Sequence, residues 1–171
     1  MTFYSGFSLL NDQRFFEAYL RESDYTVAGF SYGAIKAARH AVNATSRVDT
    51  LQLFSPAFFQ TAKSSFKRLQ LAGFMSDPIN YRKRFAHGCF APREVQPLDL
   101  RMGTVDELED VLNFVWEDHL LEKILGKGIH IEVYLGMKDH IIDAAAAREF
   151  FLGYATVTLI RTGNHFLQEC T

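Results

Sequence analysis

The sequence predicts an α/β fold built on a mostly parallel sheet, and three observations carry that prediction. Short apolar runs rich in β-branched and aromatic residues alternate with helical patterns along most of the chain. The second such run, Tyr25-Thr26-Val27-Ala28, leads through Gly29-Phe30-Ser31-Tyr32-Gly33 into a small-residue helical stretch, Ala34 to Ala38. Ser31, Asp139 and His165 each follow the C-terminal end of a predicted strand, which is where open parallel sheets build their sites.

Each element has its own signal. Thr2-Phe3-Tyr4 reads as a short buried strand, followed by a loop at Ser5-Gly6-Phe7-Ser8. Asn11 or Asp12 is placed to cap a helix whose apolar side is Phe15, Phe16, Tyr19 and Leu20. The helix after the glycine-flanked serine runs to about Asn43. A third strand lies within Arg47 to Phe54, with Val48, Leu51, Leu53 and Phe54 as its apolar residues. Ser55-Pro56 ends it, because the residue before proline is restricted and proline lacks a donor. If residues from about Thr61 to Leu71 are helical, Lys63, Lys67 and Arg68 share one face. Thr104-Val105-Asp106-Glu107 is a capping box that opens a helix burying Val105, Leu108, Val111, Leu112 and Val115, and its acidic residues read as structural. Ile129 to Leu135 is a strand, Gly136-Met137-Lys138-Asp139 a loop, and Asp143 the cap of an alanine-rich helix to about Leu152. Thr156 to Ile160 is the last strand.

Composition narrows the class. The chain has 171 residues, 48% hydrophobic and 22% charged, which suits one globular domain with a substantial core. No apolar run reaches the ~18 residues of a membrane span. The N-terminal residues lack a basic segment followed by an apolar block, so no secretion signal and a cytoplasmic location are expected. Cys89 and Cys170 form no metal or redox spacing and fit free thiols. The net charge of −2 conceals an asymmetry. Residues 56–103 hold eight basic and three acidic side chains, a charge of +5, together with all four prolines and many phenylalanines; the remainder carries −7. The expected organisation is a core of residues 1–55 and 104–171 with a basic, aromatic-rich insertion at 56–103. Basic residues interleaved with aromatics also suit nucleic acid, but the chain is acidic overall and has no nucleic-acid fold signature, so neither nucleic acid nor membrane is an expected partner.

The chemistry follows from residue types and order. A glycine-serine-glycine pentapeptide between strand and helix forces a sharp turn that lifts the serine hydroxyl from the sheet edge. The pattern alone arises by chance in roughly one chain in twenty of this length, and a serine that merely caps a helix is the plain alternative. The constellation decides. A serine nucleophile needs a base, and the base needs an acid that fixes its tautomer. His165 and Asp139 occur past later strands, and Asp143 is the fallback acid. His40, His87, His119, His130 and His140 lie within helices, in the insertion, at a strand start or beside Asp139, which suits a base less well.

Together, Gly29-Phe30-Ser31-Tyr32-Gly33, Gly136-Met137-Lys138-Asp139 and Gly163-Asn164-His165-Phe166 resemble the three motif blocks of α/β-hydrolases. Ser5-Gly6-Phe7-Ser8-Leu9 is similar to the oxyanion loop of the pimeloyl-acyl-carrier-protein methyl ester esterases of biotin synthesis, and the length and pattern look closest to their short, BioV-like form, with Ser5 where that loop often has histidine. The resemblance implies a reduced α/β-hydrolase fold of about five strands with helices on both faces and a small helical cap at 56–103. It begins at the strand of the oxyanion loop, lacks a strand–helix pair before the serine turn, and leaves only six residues after His165. It implies Ser31, Asp139 and His165 as the catalytic set, and the backbone N–H groups of Phe7 and Tyr32 as the oxyanion hole. It further implies an acyl carrier protein bearing a pimeloyl methyl ester as partner, docked by Lys63, Lys67, Arg68, Arg82 and Arg84, and no metal or organic cofactor. A general short-chain carboxylesterase or thioesterase, and a non-catalytic carrier-binding module, are the alternatives.

Overall fold

A computed structural model describes residues 1–169, so Cys170 lies outside the described residues. Seven strands and six helices follow one another as β1 (Thr2–Tyr4), β2 (Leu9–Leu10), β3 (Thr26–Phe30), α1 (Tyr32–Asn43), β4 (Thr50–Phe54), α2 (Ser64–Ser76), α3 (Pro78–Phe90), β5 (Asp99–Leu100), α4 (Val105–Asn113), α5 (Asp118–Gly126), β6 (His130–Gly136), α6 (Ala144–Phe151) and β7 (Thr156–Ile160). The main sheet has the order β1-β3-β4-β6-β7 and all four pairings are parallel. Only β1 lies outside the strand that leads to Ser31, so the sheet is narrow on that flank.

The pleat of the central strands sorts the core into two layers. Leu51 and Leu53 of β4, with Ile131, Val133 and Leu135 of β6, face one side and pack against α1, α4, α5 and α6. Phe54 and Tyr134, on the opposite face, meet Phe16, Phe90 and Phe166. This second layer is thin, built from a 3-10 turn at Asp12–Phe16, the end of α3 and the C-terminal turn. It includes a closed polar group in which the Gln52 amide donates to Glu132 (2.8 Å), Tyr134 donates to the same carboxylate (2.9 Å), and Arg21 pairs with it at 2.6 Å. Each polar atom there is answered, so burying Glu132 costs less than an isolated charge would.

Three local expectations need correction. The segment after Asn11 is a five-residue 3-10 turn and not an α-helix, and neither proposed cap works: Asn11 makes no side-chain capping bond, and Asp12 turns inward to accept the Gly6 amide (3.0 Å). The helix opened by the Thr104–Glu107 capping box ends at Asn113, so Val115 is exposed and Trp116 is buried instead, donating from its indole N–H to the Ala57 carbonyl (2.8 Å). The basic segment forms two helices, α2 and α3, the first beginning at Ser64 and ending at Ser76.

The segment 56–103 lies over the C-terminal edge of the sheet and shares its cores. Phe74 and Tyr81 belong to the layer containing Leu51 and Val133, while Cys89 and Phe90 belong to the layer containing Phe30 and Phe54. Its far end is fastened by a two-residue antiparallel pairing of β5 with β2, Leu9 opposite Leu100 and Leu10 opposite Asp99.

Candidate active site

Ser31 sits between β3 and α1 with φ 52° and ψ −113°, a backbone conformation that costs a non-glycine residue of order 1–3 kcal/mol. The turn is held by its own amide, which donates to Phe54 O (2.9 Å), and by its carbonyl, which accepts from Ala34 and Ala57 (3.1 Å each). The flanking glycines are required by contact: a Cβ on Gly33 would lie 1.9 Å from the Tyr4 carbonyl oxygen, and one on Gly29 would lie 2.2 Å from the Gly33 oxygen. Ser31 occupies the N-cap position of α1, yet its side chain makes no capping hydrogen bond. The plain helix-capping reading is therefore set aside, and the hydroxyl borders a cavity instead.

Asp139 and His165 meet. The His165 Nδ1 and Asp139 Oδ2 are 2.6 Å apart, and neither side chain exposes any surface. The other carboxylate oxygen accepts the amides of Ile141 (2.7 Å) and Ile142 (3.2 Å), which fixes the carboxylate orientation. The turn carrying His165 is braced by Asn164, whose side chain donates to Phe90 O (2.9 Å). The imidazole tilts against the ring of Phe30, the residue before Ser31, with centroids 4.8 Å apart. His165 Nε2 is buried and hydrogen-bonded to no described residue, Ser31 included. With Nδ1 engaged by a carboxylate, Nε2 is the nitrogen left to accept a proton.

The fallback acid is elsewhere. Asp143 accepts from the Ala146 amide (3.0 Å) and caps α6. Among the other histidines, His40 bonds the Tyr4 hydroxyl (2.9 Å), His119 lies 3.0 Å from Glu117, His130 contacts Thr156 and Glu132, and His87 is exposed. His140 lines the cavity beside Ile141, a position that its place next to Asp139 did not signal. Cys89 is fully buried, and burial pushes its thiol up, which keeps it out of nucleophilic chemistry.

The cavity beside Ser31 has a volume of about 500 Å³. Phe7 and Ser31 both line it. Phe66, Leu69 and Phe85 come from the cap, and Leu108, Val111 and Leu112 from α4, a helix that sequence periodicity assigned to structure alone. Arg84 is the one Lys or Arg side chain in its wall. A second cavity of about 570 Å³ shares Phe59, Phe66, Leu69 and Ile141 with the first and is bordered by Lys63. The second cavity borders the start of α2.

Phe7 is buried in the wall next to Ser31, its ring edge-on to Phe74 and Phe85. Its loop is held from below by Asp12, whose carboxylate is raised from its ordinary value by burial. Tyr32 is the first residue of α1, and its amide is among those a helix N-terminus leaves without an intrahelical acceptor. Of the cap's basic residues, Lys63, Arg68 and Arg84 are exposed and Lys67 is half-buried. Arg82 is committed to the carbonyls of Arg101 (3.0 Å) and Pro78 (3.4 Å). Among the described residues no cluster of three or more His, Cys, Asp or Glu suits a metal ion, and no helix is long and apolar enough to cross a membrane.

A parallel sheet, a strained serine between strand and helix, and an Asp–His pair beyond two later strands together define the α/β-hydrolase fold, here in reduced form. Solved structures agree on the fold. BioG from Haemophilus influenzae superposes with a TM-score of 0.61 at 15% identity, covering 97% of this chain and 88% of that one. E-2-(Acetamidomethylene)succinate hydrolase gives 0.56 at 11% identity, covering 99% and 85%. Naproxen esterase (carboxylesterase NP) from Bacillus subtilis gives 0.56 at 17% identity, covering 83% of this chain but 53% of its own. No protein-family model and no curated protein matches the sequence.

Proposed function

We propose that the chain is a serine carboxylic ester hydrolase, and that its substrate is the methyl ester of pimeloyl-acyl-carrier protein. The observation that carries the chemistry is the fully buried Asp139–His165 pair at 2.6 Å beside a serine held at positive φ on the wall of an apolar cavity. His165 Nε2 takes the hydroxyl proton as Ser31 Oγ bonds to the ester carbonyl carbon. Asp139 stabilises the imidazolium that results. The oxyanion is held by the backbone N–H groups of Phe7 and Tyr32. The C–O bond to the methoxy group then breaks, and His165 returns the proton to release methanol. Water, deprotonated by His165, attacks the acyl-enzyme, and Ser31 leaves with the proton, giving the free carboxylate.

The substrate assignment rests on the resemblance of the Ser5–Leu9 loop and on the cap. The apolar side chains that border both cavities, Phe59, Phe66, Leu69 and Ile141, suit an extended acyl and pantetheine chain. Lys63, Lys67, Arg68 and Arg84 offer a positive surface to an acidic carrier. The overlap with BioG across 97% of this chain is in keeping with a small hydrolase of this size.

Incubation with pimeloyl-carrier methyl ester, read by mass spectrometry as loss of the methyl group, tests the assignment. Turnover should vanish in Ser31→Ala, and a fluorophosphonate should label Ser31 in the unaltered chain. Labelling and hydrolysis of p-nitrophenyl esters without methyl loss would leave a general carboxylesterase or thioesterase. Absence of any labelling would leave a carrier-binding module.

A further inference from the structure

A continuous chain of polar contacts runs from the residue after Ser31 to the Phe7 loop, by way of α4. The buried Tyr32 donates its hydroxyl proton to Asp110 Oδ2 (2.9 Å), and Asp110 is gripped at both oxygens by Arg39 of α1 (2.6 and 2.7 Å). One turn earlier on α4, Glu107 takes Lys36 of α1 (3.4 Å) and both terminal nitrogens of Arg101 (2.6 and 2.9 Å). The Arg101 amide donates to Ser8 O (3.0 Å), next to Phe7. The neighbouring Gly103 lies so close that a Cβ there would be 2.4 Å from Ser8 Oγ and 2.7 Å from the Phe7 ring. The Lys36 ammonium also stands over the Tyr32 ring, 4.3 Å from its centroid.

Resting on the reading of Ser31 as nucleophile, we propose that Asp110 and Glu107 are positioning residues: α4 braces the two oxyanion donors, Tyr32 N–H through Asp110 and Phe7 N–H through Glu107 and Arg101, at a fixed separation. Phe7 and Tyr32 lie 25 residues apart in the chain, in the segments that follow the paired strands β1 and β3, and an oxyanion hole acts only when both donors are already in place. Isolated surface ion pairs contribute little. Here the carboxylates are bidentate and joined in series, which fixes geometry as well as energy. The brace touches no substrate; it acts through the two backbone segments.

The test compares Glu107→Ala, Asp110→Asn and Arg101→Lys with Thr104→Ala, which removes the same helix's cap and leaves the brace charges. On a p-nitrophenyl ester, Glu107→Ala should lower kcat about 10- to 100-fold with KM within about twofold, the pattern of an interaction made in the transition state. Affinity for a boronic acid, which forms a tetrahedral adduct on Ser31, should fall by the same factor. The amide shifts of Phe7 and Tyr32 on adduct formation, read by nitrogen-15 NMR, should shrink. Asp110→Asn should lower kcat in the same way, Arg101→Lys, which keeps the charge, should lower it less than Glu107→Ala, and Thr104→Ala should lower Tm with kcat unchanged. Equal kcat in Glu107→Ala and Thr104→Ala, or boronate affinity unmoved while Tm drops, would overturn the brace. If fluorophosphonate leaves Ser31 of the unaltered chain unlabelled, the hydrolase reading itself fails and the brace with it; labelling in the unaltered chain with unmoved variants sinks the brace alone.

Discussion

Asp139 touches His165 with one carboxylate oxygen and the start of its own following turn with the other, so a single side chain joins the loop after β6 to the loop after β7. In Asp139→Asn the amide oxygen keeps the Ile141 and Ile142 contacts and turns NH₂ toward His165. The imidazole then adopts the wrong tautomer, and kcat should fall by about 10⁴. Asp143→Asn should retain activity and lose no more than about 1 kcal/mol, because that carboxylate caps α6. Steady-state kinetics on both variants check the assignment; a dead Asp143→Asn beside an active Asp139→Asn would reverse it.

The serine turn leaves no room for a methyl group. Gly33→Ala should destabilise by about 4 kcal/mol or more, since the obstructing atom is backbone carbonyl oxygen that cannot rotate aside. Gly126→Ala, at a helical position with nothing within 4 Å, should stabilise by about 0.5–1 kcal/mol. Denaturant unfolding of the two variants reads both signs.

Two carboxylates give opposite pH dependences. Glu107 is held down to about 2, chiefly by its hydrogen bonds from Arg101. Its contribution to stability is therefore complete above the unfolded value of 4.5 and lost as pH falls toward 2. Burial raises Asp12 above its ordinary 3.8, so the unfolded chain releases that proton first, and stability is lost as pH rises from 3.8 through the folded value. Relative to Glu107→Gln, the unaltered chain should gain stability from acid to neutral pH; relative to Asp12→Asn, which keeps an acceptor for Gly6, it should lose stability over the same interval. A parallel pair of difference curves would contradict these assignments.

Carrier docking has its own signature. Neutralising Lys63, Lys67, Arg68 and Arg84 together should lower kcat/KM on a carrier-borne ester about 10-fold or more and flatten its dependence on ionic strength, with little change on a small free ester. Arg82→Gln should act differently, through Tm, since its guanidinium holds α3 to Arg101. Unchanged salt dependence in the fourfold variant would remove the docking surface.

Much of this was written locally in the chain. The Thr104–Glu107 box and the Asp143 cap are short-range devices whose partners lie within a few residues, and the turn at Ser31 is legible from five residues although Tyr4, Phe54 and Ala57 hold it. Asp139 and His165 were legible because strand ends are, and a parallel sheet brings strand ends to one edge. Asp12 was misread because a cap and a buried tether use the same carboxylate, and only the position of Gly6 tells them apart. The β2–β5 pairing joins two-residue segments separated in the chain by β3, α1, β4, α2 and α3, too short for any periodicity. The role of α4 was hidden for a different reason: Leu108, Val111 and Leu112 have the spacing of any buried face, and whether that face meets a core or a cavity is decided by α2.

The cap's aromatic residues have no private core. Phe74 and Tyr81 are packed in one layer of the sheet and Phe90 in the other. A hinged lid would have to tear both layers open at each turnover, so cap and sheet should melt in one cooperative transition. Passage to Ser31 then falls to rotamer changes of exposed residues such as Phe66 and Leu69, motions of picoseconds to nanoseconds rather than the microseconds to milliseconds of a swinging domain.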